Sequence, residues 1–290
     1  MSHHVSEKFK KTVKHNVTEN FNRSYLKYQA FEEKHRFFYT LALKLADSIN
    51  LQPGTSVLDV GCGSGVSALA LNDRFACHVL GVDLSEKMVT AGQALCGTGD
   101  IHLMVGDGEC LTDLVADRVF DYVLYNASIF IFPDVDATIR EAVGCLRPGG
   151  KVAFSFYPEL VGPGGCDLLA EAFERLNEPV PRFKVVTGYD RACLALERYC
   201  DKIAHHQWVR PLDIEFLHDF FSIPAQSSSL FPGENYQTRQ KKVAALFTTL
   251  ADVSGQGQII WRMAEGVKDS GFSPVSSSLK SGGSGKKRRR

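Results

Sequence analysis

Between residues 56 and 157, short apolar runs alternate with segments whose apolar residues recur every three or four positions. The runs at 56–60, 78–83, 102–107, 120–126 and 151–157 predict strands, the fourth continuing into apolar 129–132. The segments 66–75, 85–96 and 135–146 predict helices, with Ser85 as an N-cap and Arg147-Pro148-Gly149-Gly150 as a stop. Unbroken apolar strands interleaved with helices imply an α/β fold, a doubly wound sheet covered on both faces.

Outside that region the pattern is less regular. Residues 1–20 are polar and predict a loosely ordered tail. Residues 21–50 predict helix, with Phe21, Tyr25, Tyr28 and Phe31 on one face, closed by Pro53-Gly54. A Gly/Pro loop at 158–165 precedes helices at 168–176 and 192–199, a strand at 204–216, a helix at 237–250 and a strand at 258–267. Residues 270–290, Ser/Gly-rich and then basic, predict a disordered tail. The divisions are therefore 1–50, a core at 51–160, further helices and closing strands of the same domain at 161–269, and the tail at 270–290.

Composition narrows the class of protein. With 44% hydrophobic and 23% charged residues, the 290-residue chain can bury a full core. Its formal charge is zero, but without the five terminal basic residues 28 basic face 33 acidic residues. A mildly acidic body argues against a nucleic-acid partner. The eight cysteines are scattered without C-x-x-C or zinc spacing, so free thiols in a reducing cytoplasm are expected and no metal site. Neither a signal-peptide pattern nor an apolar run of about 18 residues occurs. The chain is expected to be cytoplasmic, with no membrane span.

The chemistry concentrates at strand ends. Val57-Leu58-Asp59-Val60-Gly61-Cys62-Gly63-Ser64-Gly65 is a strand, three alternating glycines and a helix start. Glycine lets backbone approach a ligand closely, and a helix N-terminus presents free N–H groups to an anion. A nicotinamide fingerprint wants its third glycine at position 66, which is Val. Asp59, two residues before the first glycine, suits a cationic ligand group instead. Asp83, 18 residues after Gly65, ends the second strand where a carboxylate accepts from ribose hydroxyls; capping of the next helix is its rival role. Asp107 with Gly108 ends the third strand and suits a flat ring bearing an amine. Asn126 leaves the fourth strand at the same carboxyl end of the sheet.

With these residues, and with Phe120-Asp121-Tyr122-Val123-Leu124 and Leu146-Arg147-Pro148-Gly149-Gly150, residues 50–160 resemble the class I S-adenosylmethionine-dependent methyltransferases. The resemblance is to their small-molecule group, which includes the ubiquinone/menaquinone C-methyltransferases and the carrier-protein O-methyltransferase of biotin synthesis. It implies a Rossmann-like sheet of about seven strands, mostly parallel with an antiparallel last strand at 258–267, and an N-terminal helical lid. It implies S-adenosyl-L-methionine as cofactor, with Asp59, Gly61, Cys62, Gly63 and Gly65 around its aminoacyl end. By the same resemblance Asp83 holds the ribose, Asp107 and Gly108 the adenine, Leu84 and Met88 flank the base, Asn126 lies under the sulfonium, and Tyr28 belongs to the lid. Relatives often carry His-His where this chain has Phe130-Ile131, so a general base there is not expected.

Acceptor-side candidates are Tyr25, His205 and His206, for which packing or surface roles compete. Phe216, Phe220, Phe221, Phe231 and Trp208 make residues 205–232 aromatic and hint at an apolar or aromatic small-molecule acceptor. The expected activity is methyl transfer by in-line displacement. A catalytically silent cofactor-binding partner subunit or sensor is one alternative, and a nicotinamide-dependent oxidoreductase is another.

Overall fold

A computed structural model of the chain describes residues 5–97, 99–181, 185–253, 255 and 257–269. Five strands run parallel in its sheet: β1 (Ser56–Val60), β2 (His78–Asp83), β3 (Ile101–Val105), β4 (Phe120–Tyr125) and β5 (Leu146–Ser155), in the order β3-β2-β1-β4-β5. The short β6 (Glu159–Val161) follows β5, and β7 (Lys202–Pro211) and β8 (Gln258–Val267) complete the sheet. β8 is antiparallel to β5, to β6 and to β7, as expected for a closing strand. The chain leaves β1 toward β2 on one side and reaches β4 on the other, which opens a crevice at the carboxyl ends of these strands.

Helices α3 (Val66–Phe75), α4 (Glu86–Cys96), α5 (Leu111–Val115) and α6 (Val135–Gly144) connect the parallel strands. Ser85 caps α4 by accepting the Met88 N–H, as its sequence position suggested. The apolar run 129–132 is a 3-10 turn rather than a continuation of β4, since Ala127 (φ 54°) turns the chain out of the sheet. None of the helices among the described residues is long and apolar enough to cross a membrane.

The N-terminal expectation needs correction. Residues 7–20 are helical, the first half of α1 (Glu7–His35). Ser6 caps this helix, and Lys10 and Lys14 lie against carboxylates of the sheet's crevice, so tertiary ion pairs compensate for a weakly apolar face. Nor is 21–50 one helix. Arg36 (φ 48°) breaks it, and α2 (Phe37–Ser48) begins with the N–H groups of Phe38 and Tyr39 donating to the Glu32 carboxylate at 2.8 and 3.1 Å.

Beyond β6 lie α7 (Leu168–Arg175) and α8 (Tyr189–Tyr199). The strand expected over 204–216 ends at Pro211; Asp213 then caps α9 (Ile214–Ser222) by accepting the Phe216 N–H at 3.0 Å. Next come α10 (Pro224–Leu230) and α11 (Tyr236–Val253). Ala225 N–H donates to Ser24 Oγ at 3.0 Å, which ties α10 to α1 across the crevice. The predicted tail at 270–290 lies outside the described residues.

Candidate functional site

The loop after β1 is shaped by three left-handed glycines: Gly61 (φ 72°), Gly63 (φ 53°) and Gly65 (φ 75°). A Cβ on Gly61 would lie 2.6 Å from Ser128 Cβ, so both the conformation and the space demand glycine. Cys62 between them is buried, and burial raises its thiol well above the usual range. Asp83 closes the loop from β2: Oδ2 accepts the Gly63 N–H at 2.9 Å and Oδ1 the Ser85 N–H at 2.8 Å. Its carboxylate joins three elements in addition to any ligand.

Beneath the loop Asp59 is 1% exposed, and its Oδ2 has no hydrogen-bond partner. Burial, with the neighbouring charge of Asp83, pushes its carboxyl up to about 7. The orphaned oxygen of this buried carboxylate is the group that an incoming ammonium would satisfy.

Two cavities meet along this loop, sharing Val17, Phe21, Gly61, Gly63, Ala127 and Ile131. The narrower slot runs between β2 and β3, past Val82, Asp83, Leu84, Gly106, Gly108 and Phe132. A Cβ on Gly108 would sit 2.7 Å from Phe132 and from Val60, so the slot stays flat only with glycine there. Asp107, between the lining residues Gly106 and Gly108, does not itself line the slot, and its Oδ2 accepts from Lys14 Nζ at 2.7 Å. Lys14 also pairs with the buried Glu109 at 2.6 Å. Burial opposes its charge, but the bonds to Asp107 and Glu109 prevail and raise its pKa.

The wider cavity is walled by Phe37, Phe38, Phe130, Phe156, Phe220 and Trp261. Met88, Cys62, Asn126 and Tyr28 face it as well. Asn126 spends both amide hydrogens inside the protein: Nδ2 donates to Phe38 O and Ser67 Oγ, and Oδ1 accepts from Ser155 Oγ at 2.9 Å. It holds α2, α3 and β5 around the cavity. Tyr28 Oη accepts from Gln226 Nε2 at 2.9 Å, and burial raises the phenol's pKa.

Three candidates lie elsewhere. Tyr25 lines a surface groove with Gln29, Arg36 and Leu95. His205 is exposed, 3.0 Å from Tyr189 Oη, and His206 lies 3.6 Å from Glu265 on β8. Lys14, Ser128, Gln226 and Tyr157 were not singled out from sequence. The signal for Lys14 was a basic pair one turn apart, Lys10 and Lys14; the other three carry none, because distant segments bring them in.

The residues fit S-adenosylmethionine: an orphaned acid for its amino group, Asp83 at the slot, and a flat passage beside Gly108. Residues 58–154 match the family model of the methyltransferase domain. Phosphoethanolamine N-methyltransferase 1 of Arabidopsis thaliana is 34% identical over 116 residues, 39% of this chain and 23% of that protein. Nocamycin O-methyltransferase of Saccharothrix syringae is 32% identical over 124 residues, 41% and 44% of the two chains. The chain thus spans less than half the length of these curated relatives. A solved structure, a putative sarcosine dimethylglycine methyltransferase from Galdieria sulphuraria, shares the fold with a TM-score of 0.51 at 16% identity, covering 81% of this chain and 86% of that one.

Residues 58–154 are thus a match to the methyltransferase domain, in the part of the chain where the glycine loop, Asp83 and Gly108 lie. S-adenosylmethionine is the cofactor of the domain, and the nicotinamide alternative falls with Val66 in the third glycine's place.

Proposed function

We propose that the protein transfers a methyl group from S-adenosylmethionine to a small-molecule acceptor by in-line displacement, in the cytoplasm. The observation that carries this reading is the meeting of a narrow slot beside Asp83 and Gly108 with an aromatic cavity along Gly61 and Gly63. The bound sulfonium supplies an already activated methyl group, so no covalent enzyme intermediate is required.

The chain's own part is to bind, orient and exclude water. Asp59 and the glycine loop would hold the aminoacyl end, Asp83 the ribose, and Gly108 with Leu84 the base. The aromatic walls would press the acceptor toward the glycine loop, where alignment within about 3–3.5 Å of the reacting carbon provides most of the acceleration. Tyr28 and Tyr157 stay protonated because burial raises both phenols, so they donate or accept hydrogen bonds rather than remove protons. Five buried free cysteines, Cys62, Cys77, Cys145, Cys193 and Cys200, suit a reducing compartment.

The test is incubation with methyl-labelled S-adenosylmethionine and a metabolite extract, read by mass spectrometry. We expect S-adenosylhomocysteine together with a metabolite heavier by the labelled methyl group. Cofactor binding with no product from any extract would favour the silent subunit and reject transfer.

A further inference from the structure

The wider cavity has a polar corner whose hydrogen bonds have a fixed direction. Ser229 Oγ donates its single hydrogen to Gln226 O at 2.7 Å. In the 3.3 Å contact between Tyr157 Oη and Ser229 Oγ, Tyr157 is therefore the donor, and its oxygen keeps lone pairs free. On the α1 side Gln226 Nε2 donates to Tyr28 Oη at 2.9 Å, and the Tyr28 hydrogen has no acceptor among the described residues. Phe21 stacks on Tyr28 with ring centroids 5.5 Å apart and fixes its plane. Tyr28, Tyr157, Gln226 and Ser229 all line the same cavity. One phenol thus offers a hydrogen and the other a lone pair.

The remaining lining limits what reaches this corner. Among the described residues that line the cavity, the only charged side chain is Glu32, and its two oxygens accept from Phe38 and Tyr39 N–H. A phosphorylated acceptor would find no cation there to replace its hydration.

We infer that Tyr28 and Tyr157, held by Gln226 and Ser229, recognise a hydroxyl group on an otherwise aromatic, uncharged acceptor. A hydroxyl gives and takes a hydrogen bond through one atom, and so satisfies both phenols at once. The inference rests on the methyl-transfer reading for its site and treats the hydroxyl as the handle that orients the acceptor.

The test uses the full chain saturated with S-adenosylhomocysteine, whose binding is titrated first; failure at that step rejects the parent reading, not the handle. Calorimetry then compares para-phenylphenol, biphenyl and phosphoethanolamine. We expect para-phenylphenol to bind about tenfold more tightly than biphenyl, the effect of one or two buried hydrogen bonds. Gln226→Leu and Tyr157→Phe should each cut that ratio severalfold. Ser229→Ala, a smaller change, covers the case in which either fails to fold. Equal binding of the phenol and biphenyl, a ratio indifferent to all three substitutions, or tighter binding of phosphoethanolamine would each overturn the inference.

Discussion

Asp83 Oδ2 accepts the Gly63 N–H at 2.9 Å, so the acid at the end of β2 sets the position of the glycine loop after β1. Its other oxygen, accepting from Ser85 N–H at 2.8 Å, fixes the start of α4 as well. Asp83→Ala should weaken S-adenosylhomocysteine binding by about 1–3 kcal/mol, through lost charge-assisted bonds to ligand and loop. Calorimetry on the folded variant checks this, and an unchanged dissociation constant would reject the assignment.

Asp59 makes stability and binding depend on pH in opposite senses. Its folded-state carboxyl titrates near 7, far above its usual 3.8, so the folded chain holds a proton that the unfolded chain releases. Stability therefore falls as pH rises from about 4 to about 7, by a few kcal/mol. Asp59→Asn should flatten this dependence and raise Tm at pH 8 relative to the native chain. An ammonium brought near Asp59 favours the charged form, so S-adenosylhomocysteine should bind more tightly as pH rises toward 7, with proton release. Methylthioadenosine, which lacks the amino acid, should show no such slope. Heats measured in buffers of different ionisation enthalpy decide the matter.

Gly61 and Gly63 share a left-handed backbone but differ in surroundings. A Cβ on Gly61 meets Ser128, whereas one on Gly63 has nothing within 4 Å. Both Ala substitutions carry the left-handed cost of about 1–2 kcal/mol, but only Gly61→Ala must also displace β4's exit turn. Thermal melts should rank Gly61→Ala clearly below Gly63→Ala; equal Tm values would contradict the account.

Lys14 pairs with Asp107 and Glu109, at 22% exposure of its side chain, and so holds α1 over the slot. Because the pairs are partly exposed, Lys14→Ala should cost only about 1 kcal/mol of global stability. Its local effect should be larger: trypsin should cut within α1 severalfold faster, and S-adenosylhomocysteine should slow that cleavage. An unaltered rate would mean that other contacts anchor α1.

What was legible in sequence was what neighbours in sequence decide. β2 and β8 have the bounds their apolar runs imply, and the loop from Asp59 to Gly65 with Asp83 follows from one strand–helix–strand unit. The first half of α1 was hidden because its partners, Asp107, Glu109 and Asp134, are far along the chain. α9 was legible in principle: Asp213 precedes Phe216, Leu217, Phe220 and Phe221 at helical spacing, a signal outweighed by the apolar run before it. The polar corner at Gln226 and Tyr157 had no local signature, since it exists only where α1, α10 and the end of β5 converge.

The most direct measurement is a calorimetric titration of the full chain with S-adenosylhomocysteine at pH 7.5. The account predicts saturable binding to one site per chain, lost or strongly weakened in Asp83→Ala and Asp59→Asn. No heat of binding to the native chain, or equal affinity in both variants, would contradict it.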